Sequence, residues 1–436
     1  MIDLGREPVS RRALLKLAAT SAAALPVAQA LAACGGSGGG EAASSTSALT
    51  YISGPNNDKD QQFKDALASA FTKGQKDVKV RSTFFDWETM DADLTAAYAG
   101  DTPPDIAYLV SRAWPQYAAA GALADLTERV KSPAFKETYD AIPEEVWAAI
   151  TRDGKIWGVP YLGAVFPLYV NESLIKKAGA TDWRSSYDAM FEAARAVRRG
   201  ETYGFSIGQT QQEAAFQDLG PYIHNAGGSL LTEDGQRGNL DLPDVAQALD
   251  LLARLHAEDL APRPGLYDGE AKAALFRAGR VGIAHGSVAL VGDLSAEQPD
   301  FDWSLAMAPP GPRAETAYGD FGFLCIAAGS ESQDAAWEYV QYLTSPDPVV
   351  QYVKDTGRTL QAVRTDVADD IFPEGDSPAK QLQTEFLPHV QSYTNFPDQV
   401  EALRGLVSEY ELVIRGKKSG ADAAAAANEL VTRLAA

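Results

Sequence analysis

Hydrophobic and polar positions along this chain switch repeatedly between a period of two and a period near 3.6. Leu49-Thr50-Tyr51-Ile52 is a short apolar run that predicts a strand, and a polar loop over 53–60 follows it. Phe63, Leu67, Ala70 and Phe71 then share one helical face. Residues 78–84 alternate as a second strand. Met90, Leu94, Ala97 and Tyr98 form another helical face, stopped by Gly100 and Pro103-Pro104, and 105–110 reads as a third strand. Strand, helix, strand, helix, strand predicts an α/β fold with a largely parallel sheet. Ligands of such sheets meet the carboxyl ends of strands, which draws attention to 53–57 and 111–114.

Residues 153–179, DGKIWGVPYLGAVFPLYVNESLIKKAG, carry the densest signal. Asp153-Gly154-Lys155 predicts a charged turn, 156–159 a strand ended by Pro160, and 165–170 a second strand. From Glu172 the pattern is helical: Leu174, Ile175 and Ala178 share a face and Gly179 closes it. Further helices are predicted over 245–258, 334–343, 398–414 and 421–434, and strands over 281–284, 303–307 and 321–327.

The first residues read as an address. Ser10-Arg11-Arg12-Ala13-Leu14-Leu15-Lys16 sets paired arginines before an apolar run from 14 to 33, which resembles a twin-arginine export signal. A transmembrane anchor is the competing reading, but the run is Ala-rich and contains Pro26. It ends in Leu31-Ala32-Ala33-Cys34, which resembles a bacterial lipobox whose cysteine becomes a lipidated N-terminus. Residues 34–48 then form a Gly/Ser/Ala tether. The other of the two cysteines, Cys325, stands in an apolar run and reads as a buried small hydrophobe. The formal net charge is −21, and removing 1–33 takes away Arg6, Arg11, Arg12 and Lys16 against only Asp3 and Glu7. That acidity argues against nucleic acid and against anionic lipid surfaces. Four histidines and no spaced His/Cys cluster give no reason to infer a metal or a cofactor.

Several stretches, in one colinear order, resemble the extracellular solute-binding proteins of ABC importers, in the branch containing the maltose-binding protein. They are Thr102-Pro103-Pro104-Asp105-Ile106, the turn 120–127, the segment 153–179, Asn225-Ala226-Gly227-Gly228, the run 276–283 and the helix 335–346. The resemblance implies a two-lobe periplasmic-binding-protein-like fold of type II, with discontinuous lobes joined by crossing strands and solute held between them. It implies closure by a hinge and delivery to a membrane permease. The expected division is a signal peptide over 1–33, a tether over 34–48, lobe 1 from 49–162 plus 310–358, and lobe 2 from 163–309 plus 359–436. Crossings are expected near 161–165, 308–312 and 358–362.

A sugar offers hydroxyl rims and apolar faces, so its site pairs stacking aromatics with well-placed donors and acceptors. By type and by position in the resemblance the candidates are Asn56, Asn57, Ser111, Arg112, Trp114, Tyr161, Gln217, Gly286, Ser287, Asp320, Phe321 and Arg358. For six of them a plainer reading stands alongside: an Asx turn for the two asparagines, a surface ion pair for Arg112, core packing for Trp114, a solvated helix face for Gln217 and a turn cap for Asp320. Phe166 reads as core. Val288 stands where the family commonly has a stacking tryptophan, which leaves Trp87, Trp114 or Phe321 to supply stacking. Arg358 suits hydroxyls or an anionic group.

The implied function is a lipid-anchored extracytoplasmic solute-binding protein, monomeric, that captures a di- or oligosaccharide and is not an enzyme. One alternative keeps the fold and binds a glycerol-phosphate ester or a polyamine. The other is a secreted glycoside hydrolase, which needs two carboxylates across the scissile bond; no acid or nucleophile motif supports it.

Overall fold

The computed structural model describes residues 47–436 apart from 55–57, 75–77, 87–88, 101–102, 209–211, 264–268, 357–360, 374, 376 and 393–394. The leader, most of the tether, Cys34, Asn56, Asn57, Trp87 and Arg358 therefore lie outside the described residues. No helix among those described is long and apolar enough to cross a membrane.

The opening alternation folds as its periods predict. Strands β1 (Ser47–Ser53), β2 (Val78–Phe84) and β3 (Ile106–Val110) are joined through helices α1 (Asp58–Gly74) and α2 (Met90–Ala99), and β1 pairs in parallel with both neighbours. The charged turn is present as well. Asp153 and Gly154 adopt φ of 55° and 72°, as a two-residue hairpin between Thr151–Arg152 and Lys155–Ile156 requires.

Two expectations about the segment that follows are corrected. Pro160 does not end a strand: β4 runs unbroken from Val159 to Phe166. The register against its partner shifts at Gly322/Phe323, leaving Tyr161 as the unopposed residue, and a bulge of this kind accommodates proline. The break comes at Pro167, after which β5 (Leu168–Asn171) enters a different sheet. The first crossing is therefore at Pro167 rather than at 161–165. Asn171 then caps the helix Glu172–Lys177 by accepting from the Leu174 amide at 2.9 Å.

Further elements include β6 (Tyr203–Ser206), α3 (Gln212–Asn225), α4 (Pro243–Ala257), α5 (Gly269–Arg277), β7 (Val281–His285), α6 (Ala289–Glu297), β8 (Trp303–Ala306), β9 (Ala317–Ile326), β10 (Gln361–Ala362), β11 (Val390–Gln391), α7 (Gln399–Ile414) and α8 (Gly420–Ala435). One sheet has the order β10-β4-β9-β3-β1-β2, with β11 added to β9; the other is β8-β5-β7-β6. The first sheet is less parallel than the opening pattern predicts, because β9 inserts antiparallel between β3 and β4.

Two core clusters form. Tyr51, Leu109, Leu162, Phe323 and Tyr339 belong to the first; Val170, Leu249, Ile283, Leu406 and Val431 belong to the second. Each spans residues of both sheets: the first also takes in Tyr169, Val281, Ala284 and Leu305, and the second takes in Tyr318. The chain returns from the second sheet to the first between Ala306 and Ala317, and Asn225 fastens this passage. Its side chain donates to Pro309 O at 3.1 Å and accepts from the Thr316 amide and hydroxyl at 2.9 Å each. The third crossing is corrected too. Ala362, Val363, Ile371, Phe386 and Val390 all pack in the first core, and β10 and β11 pair in the first sheet. The chain is thus still paired in the first sheet at Val390–Gln391, so it does not leave that sheet at 358–362. Cys325 is fully buried, and burial pushes its thiol pKa far up, so it behaves as a small hydrophobe.

Candidate functional site

Phe166, the last residue of β4 before Pro167, is half-buried and lines a cavity of about 200 Å³. Facing it are Gln217 and Asp218 from α3, Lys272 from α5, and Gly286 and Ser287. The last two directly follow β7, at the carboxyl end of a strand, where α/β sheets present their ligand loops. That loop is fixed: Tyr169 Oη donates to Ser287 O at 2.6 Å. A Cβ on Gly286 would stand 2.8 Å from the Tyr169 ring, so only glycine lets the loop lie this close.

The cavity floor is charged but internally balanced. Asp218 Oδ2 accepts from the Gly208 amide and from Lys272 Nζ, and both side chains are almost wholly buried, at 2% and 4% exposure. His285 stands behind the carboxylate, with Nδ1 3.9 Å from Asp218 Oδ1 and Nε2 3.2 Å from Tyr222 Oη. Burial lowers the His285 pKa to about 4, against the opposing pull of Asp218 and with help from Lys272, so the ring is neutral near pH 7. Asp293 also lines the cavity and is paired with Arg277 at 2.9 Å.

Three predicted residues thus meet in one place: Gln217, Gly286 and Ser287. On the first sheet, Ser111 is completely buried and fully occupied. It exchanges hydrogen bonds with the Phe321 backbone, accepts from Ser392 Oγ at 3.2 Å through its hydroxyl, and accepts from Gln399 Nε2 at 2.8 Å through its carbonyl. It fastens β3 to β9 and to the start of α7, and is not presented to a solute. Phe321 is likewise core, packed over Gly163. Trp114 is 0% exposed and its Nε1–H donates to Ala149 O at 3.0 Å, so it packs rather than stacks on a ligand. Tyr161 is 2% exposed, between Tyr108 and Tyr352 in the first core, which corrects its expected place on a cleft floor. The unopposed bulge position turns it inward. Arg112 and Asp320 remain half-buried at the same edge, next to Ser111 and Phe321.

Beneath the loop that leads to Asn56 and Asn57 lies a second buried lysine. Lys64 Nζ donates to Ser53 Oγ and Gly54 O at 2.9 Å each and pairs with Asp60 at 3.3 Å, under the Tyr108 ring at 5.2 Å. Burial lowers its pKa and Asp60 opposes that.

Sequence reading missed Asp218, Lys272 and Asp293, and assigned Phe166 to core. A signal existed for two of them. Lys272 falls three and four positions before Leu275 and Phe276, and Asp218 four before Tyr222, so each interrupts an apolar helical face.

Comparison with known proteins adds four similarities. Residues 66–381 match the family model described as bacterial extracellular solute-binding protein. The diacetylchitobiose binding protein DasA of Streptomyces coelicolor is 24% identical over 368 residues, covering 82% of this chain and 83% of that protein. Among solved structures, the sugar-binding protein MalE from Xanthomonas citri aligns with a TM-score of 0.77 at 18% identity, over 89% of this chain and 97% of that one. The cyclic alpha-maltosyl-1,6-maltose binding protein from Arthrobacter globiformis aligns with a TM-score of 0.76 at 22% identity, over 89% and 98%. The structural likenesses show a two-lobe periplasmic-binding-protein fold of MalE type.

Proposed function

The chain belongs to the bacterial extracellular solute-binding proteins, and on that premise we propose that it captures a sugar, a di- or oligosaccharide, and delivers it to the permease of an ABC importer. The observation that carries the reading is the meeting of Gln217, Gly286 and Ser287 with Phe166 in one cavity where the chain passes between lobes. An aromatic ring beside amide, hydroxyl and backbone groups suits a pyranose, which offers an apolar face and a polar rim. The names of DasA and of the two structural neighbours point to the same class of solute. Arg112 and Asp320 approach from the first lobe, and Asn56, Asn57 and Arg358 complete the proposed contacts. Lobe 1 supplies 47–166 with 317–391, and lobe 2 supplies 168–306 with 396–436. The protein works as a monomer, held to the outer face of the membrane by lipid on Cys34 after export.

A thermal-shift panel tests the reading, because a ligand of the folded state alone raises the melting temperature. An upward shift with a di- or oligosaccharide that is recovered uncleaved is expected. Cleavage of the sugar would instead indicate a hydrolase, and a shift only with a phosphate ester or polyamine a different solute. Loss of membrane association on Cys34→Ala checks the anchor.

A further inference from the structure

We propose that the buried Asp218–Lys272 ion pair is the specificity element of this cavity, gripping two adjacent hydroxyls of an uncharged solute. The inference rests on the solute-binding reading above and names the chemistry the second lobe selects.

Placement comes first. Both side chains line the cavity, and both are withdrawn from bulk water. Their bonding capacity comes second. An ammonium has three donors, and Lys272 spends one, on Asp218 Oδ2. The same carboxylate oxygen also takes the Gly208 amide, while Oδ1 makes no hydrogen bond among the described residues; His285 Nδ1, at 3.9 Å, is too far for one. His285 Nδ1 is itself buried without a hydrogen-bond partner. The floor of the cavity therefore holds unspent donors and unspent acceptors side by side. One hydroxyl accepts from Nζ while its neighbour on the ring donates to Oδ1, an arrangement that vicinal hydroxyls satisfy and an apolar solute does not.

Energetics point the same way. A buried ion pair adds little net stability, because desolvation of both ions offsets their attraction. A pair that serves the fold alone gains by spending all its valences within the protein, as Lys64 does on Ser53, Gly54 and Asp60. Lys272 does not. The charge balance then sets the class of solute. Asp218 and Lys272 cancel, and Asp293 is cancelled by Arg277, so a carboxylate, phosphate or ammonium on the solute would be buried without a counter-charge.

The test starts with wild-type protein and maltose, N,N′-diacetylchitobiose, xylobiose, digalacturonate and spermidine as probes, read by thermal shift and calorimetry. A stabilising neutral sugar is the expected result. No shift with any probe would sink the solute reading and this inference together. Tight binding of digalacturonate or spermidine would overturn the inference of neutrality alone. The bound neutral sugar is then offered to the double variant Asp218→Leu/Lys272→Met, which removes both charges and avoids leaving one buried alone. Affinity falling by on the order of 30-fold, with the melting temperature held, supports the proposal as the loss of one or two charge-assisted hydrogen bonds. Unchanged affinity overturns it and leaves the sugar reading standing. Should the variant fail to fold, the wild-type complex decides: sugar hydroxyls within about 3.2 Å of Lys272 Nζ and Asp218 Oδ1 support the grip, and a sugar touching neither refutes it.

Discussion

Among the described residues two lysine–aspartate pairs are buried, Lys64–Asp60 and Lys272–Asp218, and they are used differently. Lys64 and Asp60 are sealed in the first core, with every donor of the ammonium engaged and tyrosine rings of 108 and 352 against it. Lys272 and Asp218 are as deeply withdrawn, but one side of the pair opens on a cavity and its valences are incompletely used. Burial alone thus does not distinguish a structural charge from a binding one. What distinguishes them is whether the protein itself satisfies the group.

The largest expected effect separates the pairs directly. Lys64→Met leaves Asp60 buried and uncompensated and should cost about 3–5 kcal/mol of stability, read from urea unfolding. The same change at Lys272 should cost less, because water in the cavity reaches Asp218. Equal losses would break the comparison.

Acid should then weaken the lobes unequally. His224, His256 and His285 have pKa values lowered from 6.5 to about 4, chiefly by burial, and all three lie on second-lobe elements. A histidine held neutral in the folded state contributes stability that is complete above pH 6.5 and is lost as pH falls towards 4. The loss is of order a few kcal/mol for each histidine. Hydrogen exchange should show protection falling first in the second core between those values. Uniform loss across both cores would contradict this.

Two smaller effects sharpen the contrast between positioning and contact. Gly286→Ala forces a Cβ against Tyr169 and should cost about 1–3 kcal/mol while also weakening solute binding, since Ser287 moves with it. Ser111→Ala strands the bonds to Phe321 and Ser392 and should cost about 1–3 kcal/mol with solute affinity nearly unchanged. A marked loss of affinity there would return Ser111 to the contact set.

Much of the fold was legible along the chain. The opening strands and helices, the Asp153-Gly154 turn and Gly179 (φ 68°) are local matters of period and backbone preference. The crossings were legible only in part. Pro160 and Pro167 are the same residue type seven positions apart, and only the partner strand shows that one sits at a bulge and the other ends the sheet. Of the candidate contacts, Gln217, Gly286 and Ser287 come together to line one cavity. Ser111, Trp114, Tyr161 and Phe321 are instead buried, although their types suit a sugar equally well. Their partners lie 35 to 288 positions away, at Ala149 and Gln399 among others.

The sequence by itself determined the α/β class, the short-range turns and caps, the acidic balance and, through motif order, the family. Periods and caps are set within a few residues, so they can be read there. Tertiary structure alone decided which proline separates the lobes, that the chain does not leave the first sheet at 358–362, and which polar groups are left unspent. Satisfaction of a buried charge depends on neighbours that packing brings from distant positions: Asp218 and Lys272 are 54 residues apart, and only their meeting at a cavity makes them a candidate grip.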